Sequence, residues 1–229
     1  MTVSQMMAGS PSPDDWRERR RQMTNEQLLS RGVKDERVLE AMRTVPRERF
    51  MPHSIRHDAY EDRALPIAFG QTISQPYIVA YMTELLDLTP SSRVLEVGTG
   101  TGYQTAILAR LCRQVYSVER IRELHDQAAD VLASLNIENV TLLVADGSTG
   151  LPQYAPYDRI LVTAATPHVP QLLVEQLAEN GRMVLPVGGK SEQTIICVDR
   201  RDARVIETRG IACRFVKLIG KQGWSTEAK

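Results

Sequence analysis

The sequence predicts an α/β fold built on a doubly wound, mostly parallel sheet, with helices before it and an antiparallel hairpin after it. Apolar strand-like segments alternate with helical segments over residues 94–187, which is typical of parallel sheets. A glycine-rich turn, Gly98-Thr-Gly-Thr-Gly102, follows the first of these strands and opens a helix. The last two strand-like segments, 194–198 and 205–211, have no helix between them, which favours a hairpin around Arg201-Asp-Ala.

The N-terminal region is interpreted as a tail followed by short helices. Residues 1–13 are polar and carry prolines, so we expect a disordered tail. The basic segment 16–22 is flanked by acidic residues, which favours a solvated helix face over a nucleic-acid-binding arm. Residues 24–27 resemble a capping box at a helix start. Asp35 is expected to cap the next helix, which Pro46 ends.

Residues 52–75 have no regular pattern, and a loop of this length in a compact domain is commonly functional. Its apolar residues, among them Tyr60 and Phe69, also favour packing. Apolar residues at helical spacing then predict a helix over 78–86, whose start is marked by Ser74 and Pro76.

The chain length of 229 residues predicts one domain, which we place at 14–229. It divides into an N-terminal helical and substrate-side segment at 14–90, a core at 91–190 and C-terminal strands at 191–229, which are also expected on the substrate side. The core strands are expected at 94–97, 115–118, 140–144, 159–162 and 182–187, with helices at 105–111, 121–135 and 170–177.

Composition narrows the function classes. The 28 basic and 28 acidic residues give a formal net charge of zero, which argues against a nucleic-acid binder that relies on a strong positive field. No apolar run approaches the roughly 18–20 residues that span a bilayer. The three scattered cysteines are typical of reduced cytosolic thiols, and the four histidines show no metal-ligand spacing. We expect a cytoplasmic protein with no metal, membrane or nucleic-acid partner.

The glycine turn and the acidic strand ends indicate the cofactor. A dinucleotide fingerprint has glycine or alanine three residues after its second glycine, where this chain has Tyr103. Glu96 precedes the turn, and its carboxylate would repel a pyrophosphate but suits the sulfonium and ammonium groups of S-adenosylmethionine. Glu119 ends the next strand, 21 residues after Gly98, where an acidic side chain can accept hydrogen bonds from ribose hydroxyls. Asp146 ends the third strand, where we expect the adenine. These positions favour a methyl donor over a nicotinamide.

Two further enzyme classes are disfavoured. No Walker lysine follows the glycines, which argues against a kinase or an ATPase. The fourth strand runs into Thr163-Ala-Ala165, where enzymes that methylate the exocyclic amines of bases commonly carry an Asn/Asp-Pro-Pro-aromatic sequence. The residues therefore favour a Rossmann-like, S-adenosylmethionine-dependent methyltransferase.

From about residue 20 to residue 220 the sequence resembles the protein-L-isoaspartate O-methyltransferases. The motifs that carry the resemblance are Lys34-Asp-Glu-Arg-Val-Leu-Glu-Ala-Met42, Gly70-Gln-Thr-Ile-Ser-Gln-Pro76, Val94-Leu-Glu-Val-Gly-Thr-Gly-Thr-Gly-Tyr-Gln-Thr105, Val115-Tyr-Ser-Val-Glu-Arg120, Ile160-Leu-Val-Thr-Ala-Ala165, Gly181-Arg-Met-Val-Leu-Pro-Val-Gly188 and Arg214-Phe-Val-Lys-Leu-Ile-Gly220. Thr-Ile-Ser-Gln-Pro is particular to this family. Thr101 replaces the common serine and Lys217 the common proline, and the latter puts the local shape of its segment in doubt.

The resemblance implies methyl transfer from S-adenosylmethionine to the free carboxylate of L-isoaspartyl residues, with D-aspartyl residues as a further candidate. It assigns Ser74 to the active site, where we expect its hydroxyl to donate a hydrogen bond to the acceptor. The expected cofactor contacts are Glu96, Gly98, Thr99, Gly100, Gly102, Glu119, Arg120, Asp146, Gly147 and Thr163, and the expected substrate contacts are Leu65, Ile67, Thr72, Ile73 and Gln75. Segments 60–69 and 213–220 are expected to form a peptide groove.

Alternatives remain at this stage. Residue type alone favours an ordinary helix N-cap ahead of Pro76 as the role of Ser74, and this role is compatible with one in the active site. A methyltransferase with the same donor site that acts on a small molecule or RNA is the second hypothesis, and a binding module that has lost catalysis is the third. The expected partners are damaged proteins and peptides with isoaspartyl residues, bound by a monomer.

Overall fold

Helices and one small ribbon make up the N-terminal part of the computed structural model, which describes residues 11–202 and 204–225. In chain order they are α1 (Pro13–Met23), α2 (Glu36–Thr44), the antiparallel strands β1 (Leu65–Pro66) and β2 (Thr72–Ile73), and α3 (Pro76–Leu85). Short helical turns at 47–50, 53–58 and 68–70 fill much of the segment between α2 and α3. None of the helices in the described ranges is long and apolar enough to cross a membrane.

The start of α1 corrects the predicted tail. Ser12 caps this helix: its hydroxyl accepts a hydrogen bond from the Asp15 N–H at 3.2 Å, and the Asp15 carboxylate accepts one from the Ser12 N–H at 2.8 Å. Two reciprocal hydrogen bonds of this kind form a capping box, which stabilises the start of a helix. Residues 11–13 therefore belong to the ordered start of α1. The rest of the predicted tail, residues 1–10, lies outside the described residues.

The predicted capping box at 24–27 is wrong, whereas the predicted cap at Asp35 is confirmed. The chain continues from α1 into a wide helical turn at Thr24–Leu28, and the Thr24 hydroxyl donates to the Arg20 carbonyl, 2.9 Å away. A threonine inside a helix commonly bonds to the carbonyl four residues earlier. The Asp35 side chain accepts from the Arg37 N–H at the start of α2.

A seven-stranded sheet forms the centre of the molecule. Its strands in chain order are β3 (Arg93–Val97), β4 (Gln114–Glu119), β5 (Val140–Val144), β6 (Tyr157–Val162), β7 (Leu177–Gly188), β8 (Gln193–Arg201) and β9 (Arg204–Cys213). Three helices connect them: α4 (Tyr103–Ala109), α5 (Arg122–Ser134) and α6 (Gln171–Glu175). Across the sheet the order is β5-β4-β3-β6-β7-β8-β9, parallel from β5 to β7 and antiparallel from β7 to β9. The predicted parallel sheet and terminal hairpin are confirmed.

Apolar cores lie on both faces of this sheet. One includes Leu39 of α2, Met82 of α3 and Ile107 of α4, and the other includes Ile160 and Leu173. β3 has parallel neighbours on both sides, β4 and β6, so the direction of strand succession reverses at β3. Sheets of this type bind ligands outside the carboxyl ends of the strands at such a reversal, and this position is where the cleft opens.

Candidate active site

A cleft enclosing about 890 Å³, part of it open to solvent, lies at the carboxyl ends of β3, β4 and β6. Two sets of lining residues differ in origin. The strand-end wall consists of residues 97–101, 118–120, 147 and 163–164, which follow strands of the sheet, and the loop wall consists of residues 71–74 and 215–219.

The glycine turn of the strand-end wall needs its glycines for different reasons. Gly98, Gly100 and Gly102 all have positive φ angles, of 99°, 53° and 85°, which L side chains rarely adopt. A Cβ on Gly98 would lie 2.3 Å from the Thr163 hydroxyl oxygen, whereas a Cβ on Gly100 would meet no protein atom within 4 Å. Gly102 packs against Ala128 of α5 and does not line the cleft. Gly100 therefore leaves space for a ligand.

Glu119 is the carboxylate of the strand-end wall. It ends β4, is only 7% exposed, and accepts hydrogen bonds from two backbone N–H groups: Gly100 to Oε2 and Ile121 to Oε1, both at 3.0 Å. A carboxylate has about four acceptor positions, so these two bonds fix its orientation and leave others for a ligand.

Thr163 and Gly147 complete this wall where β6 and β5 end. The Thr163 hydroxyl donates to the Gly98 carbonyl at 2.7 Å, which ties the glycine turn to β6. A Cβ on Gly147 would lie 2.6 Å from a Val97 methyl group, so only glycine allows this close approach. Together with Thr99 and Arg120, these predicted cofactor residues lie in one lining.

Besides Gly102, two predicted cofactor residues do not reach the cleft. Side chains alternate along a strand: Val97 lines the cleft, and Glu96 points to the opposite face of the sheet, where it is fully buried. There Glu96 accepts from the hydroxyls of Thr105 at 2.5 Å and Ser117 at 2.6 Å, and burial raises its pKa to about 8. The prediction that Glu96 contacts the cofactor is therefore corrected.

Asp146 is the second such residue. Its carboxylate accepts hydrogen bonds from the N–H and hydroxyl of Ser148, at 2.9 and 2.7 Å, and from the Lys221 N–H at 2.9 Å. These bonds cap a short helical turn and hold the C-terminal segment against it. Asp146 is absent from the cleft lining, and the neighbouring Gly147 is present in its place.

Ser74, Thr72 and Ile73 line the cleft in the loop wall. The residue that caps α3 is Gln75, which makes no side-chain bond to the helix, so Ser74 is not the N-cap that residue type alone allowed. The Gln75 side chain instead donates to Asp62, to the carbonyl at 3.0 Å and to the carboxylate at 2.8 Å. The predicted substrate contact at Gln75 thus falls outside the lining.

The structure brings one of the two segments of the predicted peptide groove to the cleft. Residues 215–219 line the cleft, but no residue from 60 to 69 does. Leu65 is 1% exposed and pairs with Ile73 in the small ribbon, and Ile67 packs against the core. The structure therefore places Leu65 and Ile67, the predicted substrate contacts, in packing outside the cleft lining, whereas Phe69 of the same segment is exposed.

Sequence reasoning missed one part of the lining. Ile78, Val79 and Met82 of α3 face the cleft, whereas their spacing in the sequence predicts only a helix. The available signal was position: α3 begins two residues after Ser74, so its first turns must pass the site. Gln71 was also missed, and it belongs to the loop that carries Ser74.

Neither metal ligands nor a disulfide accompany the cleft. Within residues 11–202 and 204–225, no group of three or more histidine, cysteine or acidic side chains is arranged to hold a metal ion. Cys112, Cys197 and Cys213 are free thiols, and burial raises the pKa of each.

The chain matches the family model described as protein-L-isoaspartate(D-aspartate) O-methyltransferase (PCMT) over residues 18–223. It is 53% identical over 205 residues to the protein-L-isoaspartate O-methyltransferase of Methanoregula boonei, covering 90% of this chain and 94% of that protein. It is 51% identical over 206 residues to that of Trichlorobacter lovleyi, covering 90% and 95%.

Solved structures give the same result. One protein-L-isoaspartate O-methyltransferase superimposes with a TM-score of 0.79 at 32% identity, over 89% of this chain and 67% of that one. A second structure is described as a putative protein-L-isoaspartate O-methyltransferase from Plasmodium falciparum in complex with S-adenosyl-L-homocysteine. It has a TM-score of 0.77 at 25% identity and covers 87% of this chain and 98% of that one.

Proposed function

The chain belongs to the protein-L-isoaspartate(D-aspartate) O-methyltransferase family, and from that premise we propose that its cleft holds S-adenosylmethionine beside the free carboxylate of an L-isoaspartyl residue. The enzyme transfers a methyl group to this carboxylate in damaged proteins and peptides, which is the first step of their repair. One observation carries the proposal: the matched region, residues 18–223, contains both the strand-end wall and the loop wall.

The chemistry of the strand-end wall fits this cofactor. S-adenosylmethionine supplies an electrophilic methyl group on a sulfonium when it is bound. Glu119 offers an oriented carboxylate that can accept from ribose hydroxyls, as acidic residues do at this position of doubly wound sheets. Gly100 leaves open space beside its backbone, and Gly147 lets the floor of the cleft close on Val97. The proposed cofactor contacts are Gly98, Thr99, Gly100, Glu119, Arg120, Gly147 and Thr163.

Ser74 is the proposed acceptor-side residue. Its hydroxyl donates a hydrogen bond to the isoaspartyl carboxylate, with Thr72 and Ile73 beside it in the loop wall. No general base is required, because a carboxyl group with a reference pKa of about 3.9 is already ionised at neutral pH. The protein's task is alignment of a carboxylate oxygen with the methyl group, and orientation alone can supply up to roughly 7–11 kcal/mol. The methyl ester then closes spontaneously to a succinimide, whose hydrolysis returns some normal aspartate.

Domain organisation, oligomeric state, location and partner complete the description of the enzyme. We propose one domain from Pro13 onward that acts as a monomer, because a single chain supplies both walls of the cleft. We propose a cytoplasmic location, which the three unpaired cysteines support. Protein rather than nucleic acid is the proposed partner, since equal numbers of acidic and basic residues provide no overall positive field.

Labelled methyl transfer to matched acceptors tests the function. The acceptors are a peptide with one L-isoaspartyl residue, the same peptide with L-aspartate, and RNA. We expect the isoaspartyl peptide to be methylated at least about a hundredfold more efficiently than its aspartyl twin. The two peptides have equal charge and composition, and a misplacement of about 1 Å in the reacting oxygen can cost on the order of a hundredfold in rate. Equal labelling of both peptides, or labelling of RNA alone, contradicts the proposal.

A further inference from the structure

Arg47 is an arginine in the interior of the protein, outside the cleft lining. Its side chain is 0% exposed, and within residues 11–202 and 204–225 no carboxylate is paired with it. Its nearest acidic neighbour in sequence, Glu48, instead accepts a hydrogen bond from the Tyr60 hydroxyl. Burying a charge without an ionic partner costs several kcal/mol of desolvation free energy in general. An arginine at this position therefore needs a compensating role.

The guanidinium of Arg47 connects three separate segments. Its Nε donates to the Ala59 carbonyl at 2.7 Å, and one Nη donates to the Ser74 carbonyl at 2.7 Å. Its Cζ lies 4.8 Å from the centre of the Tyr103 ring, where a cation–π contact stabilises the charge. The other Nη is buried without a hydrogen-bond partner.

Two of these partners line the cleft. Ser74 belongs to the loop wall, and Tyr103 begins α4 directly after the glycine turn. Because a guanidinium is planar and rigid, its contacts fix the backbone at Ser74 relative to Tyr103. A lysine in this place has the charge but not the fork that reaches two carbonyls at once.

We propose that Arg47 is a positioning residue for methyl transfer, which holds Ser74 at the distance from the donor site that the acceptor carboxylate requires. The inference rests on the proposed function of the cleft. Its positive charge also lies one hydrogen bond away from the residue that receives the anionic acceptor, and in a protein interior such a charge attracts an anion more strongly than in water.

Arg20 supplies a matched control. It is a second buried arginine, 8% exposed, which donates to one backbone carbonyl, that of Thr44, at 3.2 Å. It too has one buried nitrogen without a partner, Nε. Neither Arg20 nor Thr44 lines the cleft. Substituting lysine at each site therefore makes the same chemical change in the interior, with and without a link to Ser74.

The test compares wild type, Arg47→Lys and Arg20→Lys. Calorimetric titration with S-adenosylhomocysteine gives the affinity and the fraction of active protein. The main readout is the ratio of kcat/KM for the isoaspartyl peptide to that for its aspartyl twin, because this ratio does not depend on the active fraction. For Arg47→Lys we expect S-adenosylhomocysteine affinity within about twofold, and a turnover and a selectivity ratio each reduced tenfold to a hundredfold, as about 1 Å of misplacement implies. Arg20→Lys is expected to keep both within about twofold.

An Arg47→Lys enzyme that binds S-adenosylhomocysteine, melts at a lower temperature and keeps wild-type turnover and selectivity overturns the inference, since Arg47 is then only structural. If that variant does not fold, Arg47→Gln takes its place, because a neutral side chain removes the cost of the buried charge; retained selectivity in it has the same meaning. A wild-type enzyme that binds S-adenosylhomocysteine but methylates neither peptide overturns the proposed function as well, so the two failures are distinguishable.

Discussion

Glu119 and Ser74 line the same cleft, but the chain holds them by different means. Glu119 ends a strand in the parallel part of the sheet, and two backbone N–H groups fix its carboxylate. Ser74 lies in a loop whose backbone is held at that residue by the side chain of Arg47. Part of the remaining loop wall is anchored by pairing at Ala165, with bonds of 2.7 and 2.8 Å to residues 216 and 218.

These two kinds of support correspond to the two tasks of a methyltransferase, which are to bind the methyl donor and to select the acceptor. The methyl donor is the same in every turnover, and the rigid edge of a sheet suits a ligand that never changes. The acceptor is what distinguishes one methyltransferase from another, and loops carried on a rigid scaffold can vary without disturbing the fold. We therefore expect substitutions in the strand-end wall to change donor affinity, and substitutions in the loop wall to change turnover.

Gly100→Val is expected to have the largest effect. Its side chain would occupy cleft space that contains no protein atom within 4 Å of the Cβ position. Overpacking costs about 1–3 kcal/mol and occasionally more, so we expect a loss of S-adenosylhomocysteine affinity of roughly fivefold to 150-fold or greater. Gly32→Val is the control, because Gly32 also has a positive φ, 92°, and open space at its Cβ, but lies outside the cleft lining. Equal affinities of the two variants by calorimetry would remove Gly100 from the donor site.

Glu119→Ala should weaken the binding of S-adenosylhomocysteine by about 1–3 kcal/mol, or roughly fivefold to 150-fold, because a charged hydrogen-bond acceptor is lost. Glu84→Ala is a close control. Glu84 likewise accepts from two backbone N–H groups, those of Lys34 and Asp35, at 2.5 and 2.6 Å, but it does not line the cleft. Calorimetry on both variants separates loss of the donor contact from loss of backbone support. An equal loss of S-adenosylhomocysteine affinity in both would contradict a direct contact between Glu119 and the cofactor.

Ser74→Ala should lower turnover by about tenfold to a hundredfold, since a hydrogen bond to a charged group is worth about 1.5–3 kcal/mol. The melting temperature should change little, because Ser74 makes no cap to α3. Steady-state rates and thermal melts on the same sample measure both. Wild-type turnover in the folded variant would show that Ser74 does not touch the acceptor.

Glu96→Gln changes a buried residue on the face of the sheet opposite to the cleft. It should change the free energy of unfolding and leave the affinity for S-adenosylhomocysteine unchanged. The folded-state pKa of Glu96 is about 8, against an ordinary value of 4.5. Between these values the folded protein keeps a proton that the unfolded chain has lost, so wild-type stability falls as pH rises from about 4.5 to about 8. Relative to wild type, the variant should gain up to about 1.4 kcal/mol per pH unit in this window.

Denaturant unfolding at pH 5 and pH 8 measures this gain. Glu138→Gln makes the same substitution at an exposed position and should show no such gain. A pH-independent difference between Glu96→Gln and wild type would contradict the buried position, and a loss of S-adenosylhomocysteine affinity would restore Glu96 to the cofactor site.

Sequence predicted the strand-end wall better than the loop wall, and the reason is physical. Periodicity and glycine spacing fix where parallel strands end, and these ends converge at one edge of the sheet. The face of the sheet to which each side chain points was harder to predict. Glu96 and Val97 are neighbours on one strand, and only packing decides which faces the cleft. Glu119 ends β4, whereas Asp146 lies two residues beyond the end of β5, where Ser148 and, from the C-terminal segment, Lys221 bind its carboxylate.

The loop wall depends on contacts between distant parts of the chain. Segment 60–69 has the apolar composition of a groove, yet Leu65 and Ile67 pack inward where β1 pairs with β2, and Phe69 is exposed outside the cleft lining. Arg47 is 27 residues from Ser74 in sequence, and no local sequence pattern predicts their hydrogen bond. The family resemblance identified Ser74, whereas the physical support of Ser74 became visible only in the fold.

The division between the two walls is tested most directly by the double variant Glu119→Ala/Ser74→Ala, measured beside both single variants. S-adenosylhomocysteine affinity and turnover at saturating S-adenosylmethionine are determined on the same samples. Sites without shared partners act independently, so the double variant should have the affinity of Glu119→Ala alone and the saturated turnover of Ser74→Ala alone. If Ser74→Ala weakens the donor as much as Glu119→Ala does, or if Glu119→Ala lowers saturated turnover as much as Ser74→Ala does, the two walls do not divide the tasks.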